Sequence, residues 1–424
     1  MNAPFPSAEL RRQPTDWKSI EMQKRIAARY GSERRFRRIG LAAVVMSAGF
    51  LAYLLIAMMS GGLAGFTRTE IAVPIDFPKA PIFLDPTSLR GEGADAALAT
   101  VNWPALTDQA AQSALGKDGA WLSPGAWLSV RDAVKKDPTV LQRSVTLHLA
   151  ASAELDLAAK SDASPDAEAA YARLHKAGVV QRAINWNFLT ASDGTDPTQV
   201  GIWGAFKGSL LTMAATLLLS FPVGVLAALY LEEYAPRNRW TDIIEVSINN
   251  LAAVPSIIFG LLGLAVFLNV MHLPRSAALV GGMTLALMTM PVIVIAGRNA
   301  IKAVPPSIRD AALGIGASPI QVVFHHVLPL ALPGIMTGTI IGMARALGET
   351  APLLMIGMRA FIASPPGGIT DPATVLPVQI FLWSDEVSKG FVEKTSAAII
   401  VLLLFLLSMN SIAIYLRNKF ERRW

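Results

Sequence analysis

Arg345 and Glu349 carry opposite charges within a segment, Arg-Ala-Leu-Gly-Glu, whose surroundings are otherwise apolar. Residues four apart share one face of a helix, so these two side chains can neutralise each other inside a membrane. A guanidinium presents a planar fork of donors that fits the oxygens of an oxyanion. The nearby carboxylate keeps an anion from binding too tightly to be released. The pair is a candidate anion-translocation site, and the alternative is a structural ion pair facing other helices.

A second pattern lies just before this pair, in a segment that we call the 298–329 loop. Pro305-Pro306-Ser307 predicts the end of one helix and the start of a short amphipathic one, and Gly316 allows a tight bend. Ser318-Pro319 predicts a second short helix through His326, after which the chain turns into the membrane. Two short helices across the base of a bundle could dock in a groove of a partner; an ordinary loop is the alternative. The residues that punctuate the loop are Asp310, Ala311, Ala312, Gly316, Leu328 and Pro329.

The residue types limit the remaining chemistry. The chain has no cysteine, which excludes disulfides, thiolate metal sites and a cysteine nucleophile. His148 and His175 are isolated and predicted to lie at the surface, and no cluster has catalytic or metal-ligand spacing. A Gly-x-x-x-x-Gly-Lys-Ser/Thr motif is also absent from the sequence. We therefore predict no catalytic residue, no metal and no cofactor, and energy for any transport must come from a partner.

Composition indicates a membrane protein. Of 424 residues, 53% are hydrophobic and 16% charged, whereas soluble domains carry roughly a quarter charged residues. The net charge of +6 records membrane topology rather than nucleic-acid binding. A spanning helix needs about 20 apolar residues, and of six charge-free segments all but the fifth reach that length outright. They are 39–66, 208–231, 246–274, 276–297, 327–344 and 395–416.

The fifth segment is counted as a span only when it continues through Arg345 and Glu349 to about Met358. A helix from about 331 to 357 would place Arg345 roughly 21 Å along its axis, well inside a bilayer. Proline interrupts the later spans, which suits a bundle that rearranges around a pathway.

Lys and Arg placement predicts that both termini are cytoplasmic, because the basic residues concentrate in the two tails. The nearly 40-residue polar N-terminal tail also argues against a cleaved signal peptide. The predicted organisation is a basic cytoplasmic tail (1–38), a first transmembrane anchor (39–66), a periplasmic insert domain (67–200) and a five-helix core (201–424) that contains the 298–329 loop. The tails carry, among others, Arg11, Arg12, Arg417, Lys419, Arg422 and Arg423.

The insert (residues 67–200) is long enough for a small domain. It begins with a Pro-rich extended stretch from Val73 to Pro86. Asp137-Pro138 and Ser164-Pro165 are each predicted to start a helix. The second helix is expected to contain Ala170, Leu174, Val179 and Val180, while the apolar pattern around Val145, Leu147 and Leu149 fits either helix or strand. Nothing in the insert reveals its function.

Resemblance adds to this interpretation. Asp310-Ala-Ala, Gly316 and Leu328-Pro329 resemble the Glu-Ala-Ala…Gly…Leu-Pro loop of ABC-importer permeases, with Asp in place of Glu and His326 where Ile or Val is usual. Leu251-Ala-Ala-Val-Pro-Ser-Ile-Ile-Phe-Gly260 and Arg345-Ala-Leu-Gly-Glu-Thr-Ala-Pro-Leu-Leu354 resemble the PstA family of phosphate permeases. So do Asn187-Phe-Leu-Thr190 and Gly201-Ile. The resemblance covers about 182–424, and residues before it resemble an uncharacterised N-terminal domain of some longer members.

The resemblance implies an all-α polytopic membrane protein with six transmembrane helices, a type I ABC-importer (MetI-like) core and a soluble periplasmic insert. It implies that the 298–329 loop couples to ATPase subunits and that Arg345 and Glu349 relay phosphate. The implied partners are a PstC-like second permease, two PstB-like ATPase subunits, a PstS-like phosphate-binding protein and membrane lipid, in a bacterial inner membrane. Shorter members often carry an Arg-Thr-Thr-Glu-Glu-like segment where this chain has Ile295-Ala-Gly-Arg298-Asn299. A second relay arginine is therefore missing at position 295.

Three functional classes remain to be compared. The first is a phosphate permease that works by alternating access, and the second is a permease for another oxyanion such as molybdate or sulfate. Charge alone says only that the substrate is an anion. The third is a membrane-anchored sensor, which is disfavoured because only about eight residues follow the last span and leave no room for a signalling domain.

Overall fold

The computed structural model describes residues 17–80, 82, 84, 94–160 and 163–420. The chain divides into two compact units, Met1–Met58 and Met59–Trp424. Helix α1 (Ile20–Gly65) supplies nearly all of the described first unit and continues into the second. Its first half is the basic segment of the N-terminal tail and its second half is the predicted anchor, so both are parts of one helix. Parts of the sequence predictions that lie outside the described residues are Arg11, Arg12, Asp85-Pro86, Arg422 and Arg423.

The insert is built on a three-stranded antiparallel sheet with strand order β2-β1-β3. Its strands are β1 (Thr67–Asp76), β2 (Ser144–Ala150) and β3 (Val180–Ile184). Alternate residues of β1, namely Ile71, Val73 and Ile75, are fully buried and pack against the helices. These helices are α2 (Ala94–Ala99), α3 (Trp103–Leu115), α4 (Ala126–Lys136), α5 (Ala153–Ala158) and α6 (Pro165–Lys176). Helix α7 (Trp186–Thr190) follows β3, and its Phe188 packs in the apolar core of the following helices instead. Short 3-10 helices lie at Phe77–Lys79, Gly116–Trp121 and Pro138–Gln142.

The sheet corrects the all-α prediction for this part of the chain. Asp137 caps a 3-10 helix instead of an α-helix, its carboxylate accepting from the Thr139 amide. Ser164 caps α6 as predicted. The prediction that Val179 and Val180 continue this helix is wrong, because Gly178 has φ +70° and ends it before β3.

The remaining chain is helical and contains the apolar helices. They are α8 (Trp203–Leu229), α9 (Arg239–Ala252), α10 (Ser256–Gly263), α11 (Ala278–Lys302), α12 (Pro306–Gly314), α13 (Pro319–Gln321), α14 (Leu328–Gly348), α15 (Ala351–Met355), α16 (Leu376–Ser384) and α17 (Gly390–Phe420). Some of these helices include π-helical segments. The segment Tyr230–Tyr234 extends α8, Leu264–Val270 extends α10, and Val322–Val327 joins α13 to α14.

Within the described residues, five helices are long and apolar enough to cross a membrane, or six if one bent pair counts as a span. The bent pair consists of α9 and of α10 with its π-helical extension, and the two helices meet at 101°. The segment 246–274, predicted as one span interrupted by proline, is therefore divided between two helices. Pro255 stands at the break, and its missing amide and fixed φ explain why the helix stops there.

Helices α8 and α11 form the centre of this bundle. Glycines let them approach closely: a Cβ at Gly282 would lie 2.5 Å from Ala215 Cβ, and one at Gly297 would lie 2.8 Å from Ala228 Cβ. At a third level a Cβ on Gly224 would meet Ile293 at 2.8 Å. Small residues bring helix backbones together and allow close packing in a membrane. The two helices therefore interlock along their length.

Candidate functional site

Arg345 lies in the last turn of α14, and Glu349 is the first residue beyond that helix. Glu349 has extended backbone (φ −81°, ψ 118°), and α15 starts separately at Ala351. The predicted continuation of one helix to Met358 is therefore wrong. So is the position of Arg345 near the middle of such a helix. Pro352 explains the break, because its ring would clash with the Gly348 carbonyl and it has no amide to donate.

The two charged side chains nevertheless meet. Arg345 Nε lies 3.6 Å from Glu349 Oε1, and their side chains are 49% and 21% exposed. The residues beside them, Ala346 and Leu347, are buried. Arg345 thus points away from the packed interior of this chain, with its guanidinium open to a ligand or to a neighbouring subunit.

A second segment holds this one in place. A Cβ at Gly260 of α10 would lie 2.6 Å from Pro352 Cα and 2.8 Å from its carbonyl oxygen. Only glycine allows the two backbones to come this close, and Leu353 next to the contact is 2% exposed. The motif that ends at Gly260 and the motif that begins at Arg345 therefore pack directly against each other. This contact positions the backbone beside Glu349.

Polar residues of α8 border the same region from inside the bundle. Ser209 and Thr212 line a small cavity together with Ala346, Leu347 and Val375. Ser209 Oγ accepts a hydrogen bond from the Leu376 amide at 2.8 Å, whereas Thr212 Oγ1 is buried with no partner among the described residues. The sequence analysis missed them. Their signal was the spacing of small hydroxyl residues on one face of an otherwise apolar helix.

Helix α12 carries the first half of the 298–329 loop. Asp310 and Ala311 are exposed, whereas Ala312 is 3% exposed and packs into the base of the bundle. Gly316 has φ +91°, and its amide donates to the Leu313 carbonyl at 2.9 Å. This left-handed turn is the tight bend that the sequence predicted.

The second half of the loop differs from the prediction. Ser318 starts a helix with a capping box that includes Gln321, as expected. The helix does not stop at Leu328-Pro329, however, and is continuous from Pro319 to Gly348. A π-helical segment directly precedes Pro329, and such local widening satisfies backbone groups that a proline leaves free. Leu328 and Pro329 are therefore inside a helix rather than at a turn.

Apolar side chains surround this loop at the surface. Ile315 is 82% exposed and Ile320 is 62% exposed, and Leu313 and Phe324 are also exposed. Exposed apolar residues that cluster around one short helix are typical of a protein-binding surface. Together with the carboxylate of Asp310 they form a patch suited to a protein partner.

Charged residues fasten the same end of the bundle. Arg298 of α11 forms ion pairs with Glu232 and with Glu245, the latter at 2.7 Å, and Lys302 lies 3.4 Å from Glu232. Arg298 is thus held by two carboxylates. Its acidic partners on α8 and α9 were not predicted from the sequence.

Comparisons with known proteins cover both parts of the chain. Residues 188–424 match the family described as "Binding-protein-dependent transport system inner membrane component", and residues 23–169 match "Domain of unknown function (DUF3333)". The "Phosphate transport system permease protein PstA 2" of Mycobacterium bovis is 32% identical over 253 residues, covering 58% of this chain and 82% of that protein. PstA of Haemophilus influenzae is 30% identical over 228 residues, covering 54% and 79%.

Two further similarities have less specific names. The "Probable ABC transporter permease protein YqgI" of Bacillus subtilis is 30% identical over 210 residues, covering 47% of this chain and 71% of that protein. Among solved structures, the MetNI methionine ABC transporter matches with 19% identity and a TM-score of 0.42, over 52% of this chain and 98% of that one.

Proposed function

We propose that this chain, which belongs to the family of binding-protein-dependent transport system inner membrane components, is the permease subunit of an ATP-driven importer for inorganic phosphate. Membership of the family makes it a multi-pass inner membrane protein whose relatives work with an ATPase and a substrate-binding protein. The relatives named for phosphate transport support the substrate assignment. ATP hydrolysis is assigned to a partner subunit.

The observation that carries the substrate class is the Arg345–Glu349 pair. A half-exposed guanidinium, with a carboxylate 3.6 Å away, suits an anion that must be captured and then released. Charge does not distinguish phosphate from molybdate or sulfate, so the names of the relatives decide for phosphate. Because the guanidinium is open at the surface of one chain, a PstC-like second permease is assigned to the opposite wall of the pathway.

The 298–329 loop supports the assignment of the energy source. Asp310, Ala311 and the exposed apolar side chains around Gly316 are assigned to contact a PstB-like ATPase subunit. In this arrangement both termini and the loop are cytoplasmic, and the chain has six spans, the anchor (39–66) and five in the core (201–424). The insert (67–200) is periplasmic, on the side where a PstS-like protein delivers phosphate. Closure of the ATPase pair moves the loop and opens the pathway outward, and phosphate passes Arg345 as the pathway resets.

The assignment is tested on the complete complex in proteoliposomes with its phosphate-binding protein. Phosphate should stimulate ATP hydrolysis and enter the vesicles, while molybdate and sulfate should do neither. Arg345→Ala should lower phosphate uptake by at least about tenfold, equivalent to about 1.4 kcal/mol of lost transition-state stabilisation. Arg359→Ala, which removes an exposed arginine outside the pair, is the matched control and should transport normally.

Stimulation by molybdate or sulfate but not by phosphate would replace the substrate while leaving the permease assignment intact. Normal phosphate uptake by Arg345→Ala would remove the arginine from the pathway.

A further inference from the structure

We propose that Arg309 is a positioning residue that joins helix α12 to both α8 and α11, so that movement of α12 is transmitted to these two helices together. The proposal rests on the function above, in which α12 contacts the ATPase. It concerns a side chain that faces the bundle rather than the partner.

Arg309 makes three contacts, with the end of α8, with the end of α11 and with the residues that follow α11. Its Nη1 donates to the Val304 carbonyl at 2.7 Å, and its Nη2 donates to the Ile301 carbonyl at 3.1 Å. The same Nη2 lies 2.8 Å from Glu233 Oε1. Ile301 belongs to the last turn of α11, and Val304 lies two residues beyond the end of that helix. The carboxylate belongs to the π-helical end of α8.

The contacts are protected from solvent. The side chains of Arg309 and Glu233 are 23% and 12% exposed, so this ion pair is screened less than one at an open surface. Five donors in a rigid plane allow one guanidinium to reach two carbonyls and a carboxylate at once. A lysine ammonium on its flexible stem lacks this fixed geometry.

Helix α12 has little else to hold its orientation. Ala312 is the single buried residue among its nine. The helix is followed by the left-handed turn at Gly316, where a Cβ would meet no atom within 4 Å. The apolar contact of α12 with the bundle is limited to Ala312 and the partly buried Ile308, so the three polar contacts of Arg309 contribute strongly to the direction of this helix.

The helices that receive these contacts, α8 and α11, are held together by ion pairs and by close packing. Arg298 joins α11 to α8 and α9 through Glu232 and Glu245, and the glycine contacts described above interlock α8 with α11. A displacement of α12 transmitted through Arg309 therefore reaches two helices that cannot slide apart. One of them, α8, lines the cavity beside Ala346 and Leu347, so the transmitted movement ends next to the Arg345–Glu349 pair.

The test uses the complete complex in proteoliposomes, with inorganic phosphate and the phosphate-binding protein. The variants are Arg309→Met, Arg309→Lys, Glu233→Gln and the double variant Arg309→Met/Glu233→Gln. Arg237→Met is the matched control, since it removes an exposed arginine near the same end of α8. Three quantities are measured for each: ATPase subunits retained by the complex, ATP hydrolysis without phosphate, and phosphate transported per ATP hydrolysed.

We expect Arg309→Met to retain its ATPase subunits and its basal hydrolysis, while phosphate transported per ATP falls at least about fivefold, the lower end of measured couplings between distant sites. Arg309→Lys should fall less, and Arg237→Met should match the unsubstituted complex. The double variant should be no worse than Arg309→Met, because both changes break one linkage. If Arg309→Met fails to insert, Glu233→Gln carries the same test with the guanidinium still present.

Unchanged transport per ATP in Arg309→Met or, where that variant does not insert, in Glu233→Gln would overturn the proposal. Loss of the ATPase subunits from the complex would also overturn it, because Arg309 would then hold the interface itself instead of transmitting through it. Failure of the underlying function looks different: the unsubstituted complex would show no phosphate uptake at all.

Discussion

At the scale of single residues, Asp193 carries its carboxylate in a half-buried position where the negative charge is unfavourable. It lies between α7 and α8, where its Oδ1 accepts from Trp383 Nε1 and from the Gly194 amide, both at 3.0 Å. Burial nevertheless raises the pKa of the Asp193 carboxyl above its ordinary value of 3.8, against these hydrogen bonds. The charged form is therefore disfavoured in the folded protein.

This shift predicts a pH dependence with a definite sign. A raised folded-state pKa contributes stability below the unfolded value of 3.8 and loses it as the pH rises through the folded value. Asp193→Asn keeps an acceptor for both donors and removes the charge, so it should raise the melting temperature at neutral pH. The gain should disappear below about pH 4, where the aspartate is itself protonated. Thermal unfolding of the purified protein from about pH 3 to pH 8 measures this.

Asp118 provides a control of opposite sign. Its hydrogen bond from Arg173 lowers the pKa of the Asp118 carboxyl, so this group contributes stability above 3.8 that is lost as the pH falls through the folded value. Asp118→Asn should therefore lower the melting temperature at neutral pH. A lower melting temperature for Asp193→Asn at neutral pH would show that the charged form is needed there.

Some features of the candidate site could be predicted from the sequence, and others could not. Spacing predicted that Arg345 and Glu349 meet, and they do. Their backbone was predicted wrongly, because the i to i+4 rule assumes a helix and Pro352 ends that helix before Glu349. The hydroxyls of Ser209 and Thr212 could not be placed beside the pair, since their positions depend on how α8 packs against distant segments.

At the scale of elements, the turn at Gly316 gives a matched pair of glycine substitutions. Gly316 has φ +91°, while Gly314 ends α12 without a left-handed backbone, and a Cβ at either position would meet no atom within 4 Å. Any difference between them is therefore backbone strain. Gly316→Ala should destabilise the turn by about 1–2 kcal/mol, whereas Gly314→Ala should be neutral or slightly stabilising.

The coupling of ATP hydrolysis to phosphate should be affected in the same order as the stability of the turn. Gly316→Ala should reduce phosphate-stimulated ATP hydrolysis and Gly314→Ala should leave it unchanged. Gly316→Pro should abolish uptake and coupling without loss of membrane insertion, because it also removes the amide that donates to Leu313. Equal activity of Gly316→Ala and Gly314→Ala would mean that the direction of the chain at this turn is unimportant for coupling.

Elements differ in how well sequence predicts them. Long apolar runs located α8, α11 and α17, because burial in lipid depends on local composition alone. The pattern around Val145, Leu147 and Leu149 left helix or strand open, and the pairing of the sheet was not predicted. Residues of β1 pair with residues distant in the sequence in β2, for example Val73 with Leu147. The π-helical segment before Pro329 was also missed, because no residue pattern distinguishes it from an ordinary helix.

At the scale of the whole molecule, the insert is fastened to the last helix of the bundle by buried charges. Lys160 Nζ lies 2.6 Å from Asp156 Oδ2 and 2.9 Å from Glu393 Oε2, and it donates to the Thr67 carbonyl at 2.9 Å. Asp156 is held in turn by the amide and hydroxyl of Thr69, both at 2.7 Å. Glu393 belongs to α17, so this ion network links the sheet, α5 and the bundle.

Glycines bring the end of α1 into the same junction. A Cβ at Gly62 would lie 2.8 Å from the Ser396 carbonyl oxygen, and one at Gly65 would lie 2.7 Å from that of Glu393. Lys394 Nζ donates to the Gly65 carbonyl at 3.1 Å. The insert therefore contacts α17 in two ways, through Lys160 and through the end of α1 that leads into β1. A displacement of the insert would be transmitted to α17 through these contacts.

This junction predicts a large loss of stability when its central cation is removed. The Lys160, Asp156 and Glu393 side chains are only 3%, 11% and 14% exposed. Lys160→Met removes the cation that contacts both buried carboxylates directly, and breaking a buried pair in this way costs about 3–5 kcal/mol. Lys135→Met breaks the exposed pair that Lys135 forms with Asp95, whose side chains are 47% and 80% exposed. This change should cost at most about 1 kcal/mol.

The measurement is thermal unfolding of the purified protein in detergent. Adding Glu393→Gln to Lys160→Met should restore part of the loss, because one of the two carboxylates that Lys160 contacted is then neutral. Equal melting temperatures for Lys160→Met and Lys135→Met would show that the insert is held to α17 by packing alone.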